Sequence, residues 1–301
     1  MREPNLSSAI KIIEAARLKH KCKSNNLDFK KATNHIREFN YKAVVRENAK
    51  IQNCFDFTIP EGKAIMSNDI LRSGLFGSQR KSIFVSNYEI PTPSNLKITF
   101  TGNLMNQRDY EIFELLIKSY KENGLEAVIT QSELLTSLKR KHGGEQVAAL
   151  KASLDKLARC SLSIETKNYK FIGHLLDEVA YDKNGDKSIY IKFGNRLIDI
   201  FANDNWTLID SSKREKVSKS MLSTWIYNFY STHANPFPYS VRMLKRLSNC
   251  DYTRLSDFRR DLIRCLEALK NDGWTYAIDS TDKLHIKREL NILQKKSLIK
   301  K

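Results

Sequence analysis

The feature of this sequence that most constrains its fold is an internal repeat, in which two segments about 109 residues apart share one order of elements. The clearest match is between RDYEIFELLIKSYKENG and SMLSTWIYNFYSTHAN, where Ile117 corresponds to Ile226. Apolar residues recur in both at the spacing of an amphipathic helix. They are in phase: Phe113, Leu116, Ile117 and Tyr120 in the first copy, and Leu222, Trp225, Ile226 and Phe229 in the second. The chain is therefore predicted to fold around two related helical cores.

The other elements of the repeat keep the same order. A strand-like stretch precedes each helix, LKITFTG (Leu96–Gly102) in the first copy and NWTLIDS in the second. A shorter helix follows, in which TQSELLTSLKRK corresponds to YSVRMLKRLSNC and Leu138 to Leu247. A longer third helix comes next, with apolar positions now 112 residues apart: Leu150, Leu154 and Leu157 against Leu262, Leu266 and Leu269.

Each long helix is followed by a strand pattern. In the first copy Asn184-Gly185 supplies the positive φ angles of a two-residue hairpin turn, and in the second a hairpin turns at Ser280–Lys283. Strand, helix, helix, long helix and hairpin is the order of a winged-helix domain. The predicted class is α+β, with two winged-helix domains related by the repeat and preceded by a charged helical N-terminal extension. The predicted boundaries are 1–94 for the extension and a connector, 95–193 for the first domain, and 194–301 for the second domain with a short basic tail.

The charge balance indicates a polyanionic partner. The sequence has 51 Lys and Arg against 34 Asp and Glu, a formal net charge of +17. Such an excess is typical of proteins that bind nucleic acid or, as a second candidate, an anionic membrane surface. No apolar run approaches the roughly 20 residues that span a bilayer, and the N-terminus lacks the pattern of a signal peptide. Five dispersed cysteines without a C-x-x-C pair indicate a reducing compartment, so a cytoplasmic protein is expected.

The second long helix carries arginines on the side away from its leucine seam. Arg260 and Arg264 lie one turn apart with Arg259 on their flank, and a guanidinium offers two parallel donors that match guanine or phosphate. The alternative is that they form ion pairs with Asp257 and Asp261 on a solvated face. The DNA-binding residues predicted in this copy and its hairpin are Arg254, Arg259, Arg260, Arg264, Lys283, Lys287 and Arg288.

The first long helix is less basic. Opposite its leucine seam lie Ala148 and Ala152, whose small side chains would allow close approach to DNA. The turn before the helix, KRKHGG, concentrates positive charge and is either a phosphate contact or a solvated loop. Base reading by this helix is left open, and the second copy is expected to carry more of the specificity. The residues predicted to bind DNA here are Lys139, Arg140, Lys141, Lys156 and Arg159.

Catalysis finds little support in the sequence. The six histidines lie far apart, and there is neither H-E-x-x-H nor the phosphate-binding G-x-x-x-x-G-K-[ST]. The acidic residues Asp177, Glu178, Asp182 and Asp186 leave a metal-dependent nuclease as one alternative, but they straddle the first predicted hairpin and fit turn chemistry better. We therefore expect a protein that is not an enzyme and holds no metal or cofactor.

Several stretches resemble the TrfA-like plasmid replication initiators, over roughly Gln52 to Arg288. The most specific are MSNDILRSGLFGSQRK (Met66–Lys81), LKITFTG, IGHLLDEV (Ile172–Val179), FYSTHANPFPYSVRMLKRLSNCDYTR (Phe229–Arg254) and LHIKR (Leu284–Arg288). The resemblance implies tandem winged-helix domains that bind directly repeated origin sequences, called iterons, and help to open adjacent A·T-rich DNA. It further implies loading of the host initiator DnaA and the replicative helicase, exchange between an inactive dimer and a DNA-binding monomer, and control of plasmid copy number.

One departure from the family concerns the polymerase sliding clamp. Some relatives carry a clamp-binding pentapeptide that begins with Gln and ends with Leu-Phe. In IQNCFDF (Ile51–Phe57), the stretch from Gln52 to Phe55 is one residue short and lacks the leucine. Leu75-Phe76 has no Gln at the right distance before it. Clamp binding is therefore not expected from this sequence.

The leading interpretation is thus a replication initiator that binds and deforms double-stranded DNA. The alternative from another class is a winged-helix transcriptional repressor, which binds its operator without opening an origin. A repressor dimer favours an inverted repeat, whereas an initiator binds tandem direct repeats.

Overall fold

Helices and strands are mixed along the chain, so the predicted α+β class is confirmed. The computed structural model describes residues 59–93, 96–167, 170–182, 187–194, 197–201, 205–217 and 219–289. Within these ranges the helices are α1 (Asn68–Leu71), α2 (Gln107–Asn123), α3 (Gln131–Ser137), α4 (Gly144–Arg159), α5 (Ser211–Val217), α6 (Met221–Ser231), α7 (Val241–Leu247) and α8 (Leu255–Lys270), with a 3₁₀ turn at Leu197–Phe201. The predicted N-terminal helical extension and the Gln52–Phe55 stretch lie outside the described residues.

The strands form five small sheets. The strands are β1 (Lys63–Ser67), β2 (Phe76–Gly77), β3 (Phe84–Ile90), β4 (Leu96–Asn103), β5 (Met105–Asn106), β6 (Glu126–Thr130), β7 (Ser161–Thr166), β8 (Lys170–Gly173), β9 (Leu176–Tyr181), β10 (Ser188–Phe193), β11 (Trp206–Asp210), β12 (Tyr239–Ser240), β13 (Thr275–Ile278) and β14 (Lys283–Lys287). Their orders are β1-β11, β2-β5, β3-β4-β7-β8, β6-β10-β9 and β12-β14-β13, and every pairing is antiparallel except the parallel β2-β5.

The two copies of the repeat have the same order of elements. In the first half (residues 96–193) the order is α2, β6, α3, α4 and, after the two strands β7 and β8, the hairpin β9–β10; in the second half (residues 197–289) it is α6, β12, α7, α8 and the hairpin β13–β14. The sheets also correspond, because in each half the last hairpin strand pairs with the short strand between the first two helices. The exact domain boundaries stay a prediction.

The N-cap residues of α3 and α7, which are the second helix of each half, give a more accurate alignment of the two copies. Thr130 begins α3 by accepting a hydrogen bond from the Glu133 amide, and Ser240 begins α7 by accepting one from the Met243 amide. Each helix is followed by a residue with positive φ, 53° at Lys139 and 44° at Asn249. These pairs are 110 residues apart. The predicted match of Leu138 with Leu247 is therefore wrong by one residue, because Leu138 ends its helix as Ser248 does.

The apolar stripes form the cores of both halves. All eight residues matched in α2 and α6 are at most 3% exposed, and so are the six leucines matched in α4 and α8. Burying a side chain of this size stabilises a fold by about 1.5–3 kcal/mol. The first helix of each half begins where its backbone amides find side-chain acceptors: Asn106 and Asp109 form a capping box on α2, as Ser220 and Ser223 do on α6.

The strand pattern after α4 divides between two sheets. Only β9 and β10 form the hairpin that corresponds to β13–β14; β7 and β8 extend a sheet that begins with β3 and β4. The apolar side of β7 decides this, because Ile164 lies opposite Ile98 of β4 and Leu162 opposite Phe100, all at most 2% exposed. The predicted Asn184-Gly185 turn lies outside the described residues.

The connector (residues 59–93) is bonded to both halves. Its strand β1 pairs with β11 of the second half, and β2 pairs with β5 of the first. Two glycines let it run under the turn that follows α7, since a Cβ at Gly74 would lie 2.7 Å from the Asn249 Cβ and one at Gly77 would lie 3.0 Å from it. Leu75 and Phe76 are 1% and 2% exposed. These two residues are therefore part of the core of the protein.

A buried ion pair joins the two halves directly. The Arg214 guanidinium in α5 donates to both carboxylate oxygens of Glu114 in α2, over 2.7 and 2.6 Å, and to the Asn228 side-chain oxygen of α6 over 3.1 Å. The Tyr110 hydroxyl donates to the same carboxylate over 2.7 Å. Burial alone lowers the pKa of Arg214, but the charge and hydrogen bonds of Glu114 outweigh it and raise this pKa above its ordinary value. The guanidinium is thus held in its charged form.

Replacement of Arg214 by Ala is expected to lower the free energy of unfolding by about 3–5 kcal/mol, because it leaves the Glu114 carboxylate buried without its partner. The matched control is Lys139→Ala, since Lys139 also pairs across the halves, with Glu215 of α5, but its side chain is 71% exposed. That change should cost less than about 1 kcal/mol. Urea unfolding followed by circular dichroism checks both, and equal losses for the two variants would contradict this account of the interface.

Candidate nucleic-acid interface

The outer face of α8 carries the arginines predicted to bind DNA. The side chains of Arg260 and Arg264 are 57% and 73% exposed, and Arg254 is exposed at the N-cap. Arg260 lies 3.1 Å from Asp257, and Arg264 donates to Asp261 over 3.1 Å. The arginines therefore form ion pairs along the helix, as the alternative interpretation expects. They also remain accessible, as DNA binding requires.

These pairs are weak enough to be exchanged for contacts with DNA. An exposed pair at i,i+3 stabilises a helix by about 0.2–0.5 kcal/mol. A phosphate or a guanine offers the guanidinium a bidentate partner instead. The two aspartates also orient the guanidiniums, because each arginine is held beside a carboxylate one turn before it on the helix. The α8 face can thus accept an anionic partner without loss of its fold.

The second hairpin places two lysines on one side. Lys283 and Lys287 are exposed on β14, while Leu284 and Ile286 between them face the core, as the two-residue period of a strand requires. The turn before β14 is held by Asp279, which accepts from the Lys283 amide and from the His285 ring over 2.8 Å. The hydrogen bonds from His285 and Thr281 hold the pKa of Asp279 well below its ordinary range. The turn is thus acidic, and the positive charge of the hairpin lies along its strand.

Arg259 joins this turn to the long helix. Its side-chain Nε donates to Asp282 over 3.1 Å, and both side chains are about half exposed, at 46% and 41%. The hairpin turn is therefore held beside the flank of α8 that carries Arg259. One helix face and one hairpin strand are thereby joined into one surface.

Arg288, predicted to contact phosphate, is bonded within the protein. Its guanidinium donates to the carbonyl oxygens of Tyr230 over 3.0 Å, Ser231 over 2.8 Å and His233 over 3.0 Å. It also lies over the Trp274 ring, 5.7 Å from the centroid. Burial lowers the pKa of Arg288 to about 10. The guanidinium thus supplies a charged donor to three carbonyl groups at the end of α6 and just beyond it, and Arg288 does not belong to the DNA-facing residues.

Two predicted residues of the first half are likewise turned inward. Lys156 donates to both carboxylate oxygens of Asp109, over 3.1 and 2.9 Å, and its side chain is only 19% exposed. Asp109 is 1% exposed and begins α2, so its charge needs a partner inside the protein. Arg140 is 18% exposed and lies 2.7 Å from Glu111. These contacts leave little of Lys156, on α4, or of Arg140, in the turn before it, accessible to DNA.

The other predicted residues of the first half remain accessible. Lys141 is exposed in the turn before α4, and Ala148 and Ala152 are exposed on the helix. The Arg159 side chain is 82% exposed, 3.9 Å from Asp155. Lys139 is exposed and paired with Glu215. The first half therefore presents a smaller positive surface than the second.

The predicted residues are charged side chains of the two long helices, the turn before the first of them and the second hairpin, so four other residues near α8 were missed. Arg242 and Arg246 are exposed on α7, which precedes α8. Ser256 and Ile263 lie on the outer surface of α8 itself, Ser256 exposed and Ile263 half-buried. Counting helical positions from Arg259 finds both of the latter, since they are three residues before it and four after it.

Metal binding and membrane crossing are two further properties on which the described residues bear. In the described ranges, no three His, Cys, Asp or Glu side chains come together in a way that could hold a metal ion. None of the helices that the structure describes combines the length and the apolar character that a bilayer crossing requires.

Replacement of Arg288 by Ala is expected to lower the free energy of unfolding by about 2–3 kcal/mol, because three carbonyl groups lose a charged donor. Lys287→Ala, one residue away and exposed, should change it by less than about 0.5 kcal/mol. Thermal and urea unfolding measure both effects. An Arg288→Ala protein of unchanged stability that binds DNA more weakly would return Arg288 to the interface.

Comparison with known proteins identifies the family of the chain. The family model described as TrfA protein matches residues 44–288, which is most of the chain. The plasmid replication initiator protein TrfA of Escherichia coli is 22% identical over 244 residues, covering 76% of this chain and 63% of that protein. This chain therefore matches less than two thirds of the length of that relative.

Similar solved structures come from another protein, RctB. A crystal structure of domains 2 and 3 of RctB has a TM-score of 0.53 at 10% identity and covers 74% of this chain and 99% of that one. A second structure of the same RctB domains has a TM-score of 0.49 at 11% identity. The first match shows that the fold described here is shared with a two-domain fragment. On the family match, which extends over well more than half of its length, the chain belongs to the TrfA family.

Proposed function

We propose that this protein initiates plasmid replication by binding directly repeated origin DNA with two winged-helix domains. The observation that carries the proposal is the surface of α8 and its hairpin, where Arg260, Arg264 and Lys287 are exposed on one half of a duplicated fold. Membership of the TrfA family supports it. The net charge of +17 supplies the long-range attraction to DNA that such binding needs.

The proposed winged-helix identity rests on the order of elements and sheets. In each half three helices are followed by a hairpin, and the hairpin pairs with the strand between the first two helices. In this arrangement α8 enters the major groove and the β13–β14 wing contacts the adjacent backbone. Arginine on the helix then reads base edges, while the lysines of β14 neutralise phosphates.

The inequality of the two halves favours direct repeats. In the first half Lys156 and Arg140 are held in ion pairs with Asp109 and Glu111 and are only 19% and 18% exposed, whereas Arg260 and Arg264 of α8 are more than half exposed. One protein molecule with two different reading surfaces has no twofold symmetry, so its site is not a palindrome. Several molecules that bind side by side in one orientation therefore require the site to be repeated directly.

The remaining steps of the proposal follow the family. Binding to adjacent repeats strains the duplex beside them and opens A·T-rich DNA, where DnaA and the replicative helicase are then loaded. The protein acts without covalent chemistry, metal or cofactor, in the cytoplasm of the plasmid's host. Exchange with an inactive dimer limits the number of active molecules and so controls copy number.

The test of initiation uses the protein, DnaA and a supercoiled plasmid that carries its own origin. We expect DNase I protection over tandem direct repeats and permanganate-reactive, unpaired thymines in the flanking A·T-rich segment. The control plasmid has the repeats scrambled and should show neither signal. Protection of an inverted repeat without reactive thymines would support the transcriptional repressor instead.

The proposal also predicts different effects on DNA binding for substitutions in α8 and in the β13–β14 wing. Arg260→Ala or Arg264→Ala should cost about 1–3 kcal/mol of binding free energy and relax the preference at one base position. Lys287→Ala should weaken binding equally on specific and random DNA and reduce the salt dependence by about one unit, because it removes a phosphate contact.

Binding isotherms at several salt concentrations measure these effects, with Lys170→Ala as a control. Lys170 is an exposed lysine of β8 that is paired with Glu165 over 3.0 Å. If both arginine variants lose specific and random binding in equal proportion, the arginines contact only phosphate.

A further inference from the structure

The flank of α8 beside the wing contains an apolar side chain among charged ones. The contact of Arg259 with Asp282 shows which flank of the helix faces the wing turn. Residues three before and four after Arg259 lie on the same flank, and these are Ser256 and Ile263. Ile263 follows Arg260 and precedes Arg264, whose side chains are both more than half exposed. It therefore lies within the surface that faces DNA in the proposed function.

Ile263 does not belong to the buried face of α8. The inward face of α8 consists of Phe258, Leu262, Cys265, Leu266 and Leu269, which are at most 7% exposed. Ile263 stands about 100° around the helix from Leu262 and is only half-buried. Leaving part of an isoleucine in water forgoes some of the stabilisation that burial would provide. An apolar partner outside the protein would supply that burial.

In the major groove the apolar group on a base edge is the thymine methyl. Ile263 lies three residues beyond Arg260, an axial rise of about 4.5 Å along the helix. This is between one and two base-pair steps of about 3.4 Å. A guanine or phosphate held by Arg260 would thus place a nearby base pair opposite Ile263. Beyond it, Glu267 is bonded to Lys270 and to the Tyr276 hydroxyl of the wing, so the reading surface ends near Ile263 and Arg264.

We infer that Ile263 is a specificity-determining residue that contacts the 5-methyl group of thymine within the binding site, an inference that rests on the proposed function. The contact distinguishes thymine from cytosine and from uracil, both of which lack the methyl group. Arg260 and Arg264 hold the helix in the groove, and Ile263 selects the base between them.

The test removes the methyl group from the DNA and the side chain from the protein. A preferred duplex is first selected from random DNA by the full chain, and each thymine is then replaced singly by deoxyuridine. For the wild-type protein we expect one or two such replacements to weaken binding about fourfold, the effect of one buried methyl group. For Ile263→Ala the same replacements should have no effect, while Ile263→Val should keep most of the sensitivity.

Ile172→Ala is the matched control, because Ile172 is 69% exposed but lies on β8, which is not in the sheet of the β13–β14 hairpin. It should retain the full deoxyuridine sensitivity. If Ile263→Ala keeps that sensitivity, or if no thymine matters to the wild type, the inference is overturned although the protein still selects a duplex. If no preferred duplex is selected at all, the proposed function itself fails.

Discussion

The ion pair between Arg214 and Glu114 is the interaction on which the arrangement of the two halves depends. It lies in the interior, where each charge would be costly alone, and it is completed by Tyr110 and Asn228. Asn228 in turn donates to the Gln107 side chain over 3.1 Å. Such a network has one geometry in which all its groups are bonded, whereas apolar side chains at the same place would tolerate sliding. The orientation of α2 relative to α6 is thus fixed by the directions of these hydrogen bonds as well as by apolar packing.

The two halves of the duplicated fold differ in the partners of their basic side chains. Both contain a long helix with a leucine seam and a hairpin behind it, so both could present a basic face. In the first half Lys156 serves the buried Asp109 and Arg140 serves Glu111. In the second, Arg260 and Arg264 are more than half exposed, and the partners found for them are Asp257 and Asp261 on their own helix. The same scaffold thus supplies stability in one copy and an accessible positive surface in the other.

Local periodicity was enough to predict the helical cores. Trp225, Leu154 and Leu266 follow helical spacing, and the order of helices and hairpins repeats along the chain. What could not be predicted depends on partners distant in sequence. From the sequence alone Arg214 is expected on a charged surface helix, because its partner Glu114 is 100 residues away along the chain. Lys156 and Arg288 have long side chains whose direction is decided by Asp109 and by the end of α6. The strands β7 and β8 join a sheet begun 60 or more residues earlier, a pairing that no local pattern reveals.

The connector has a consequence for the geometry of the DNA site. One segment pairs through β1 with the second half and through β2 with the first, and it is packed against the turn after α7 without room for a Cβ at Gly74. The two long helices are thereby held at one separation and one mutual rotation. B-form DNA turns by about 34–36° with every base pair. Under the proposed function, α4 and α8 can then meet the same side of a duplex at only one spacing, and the protein measures the helical phase of its site as well as the identity of the bases.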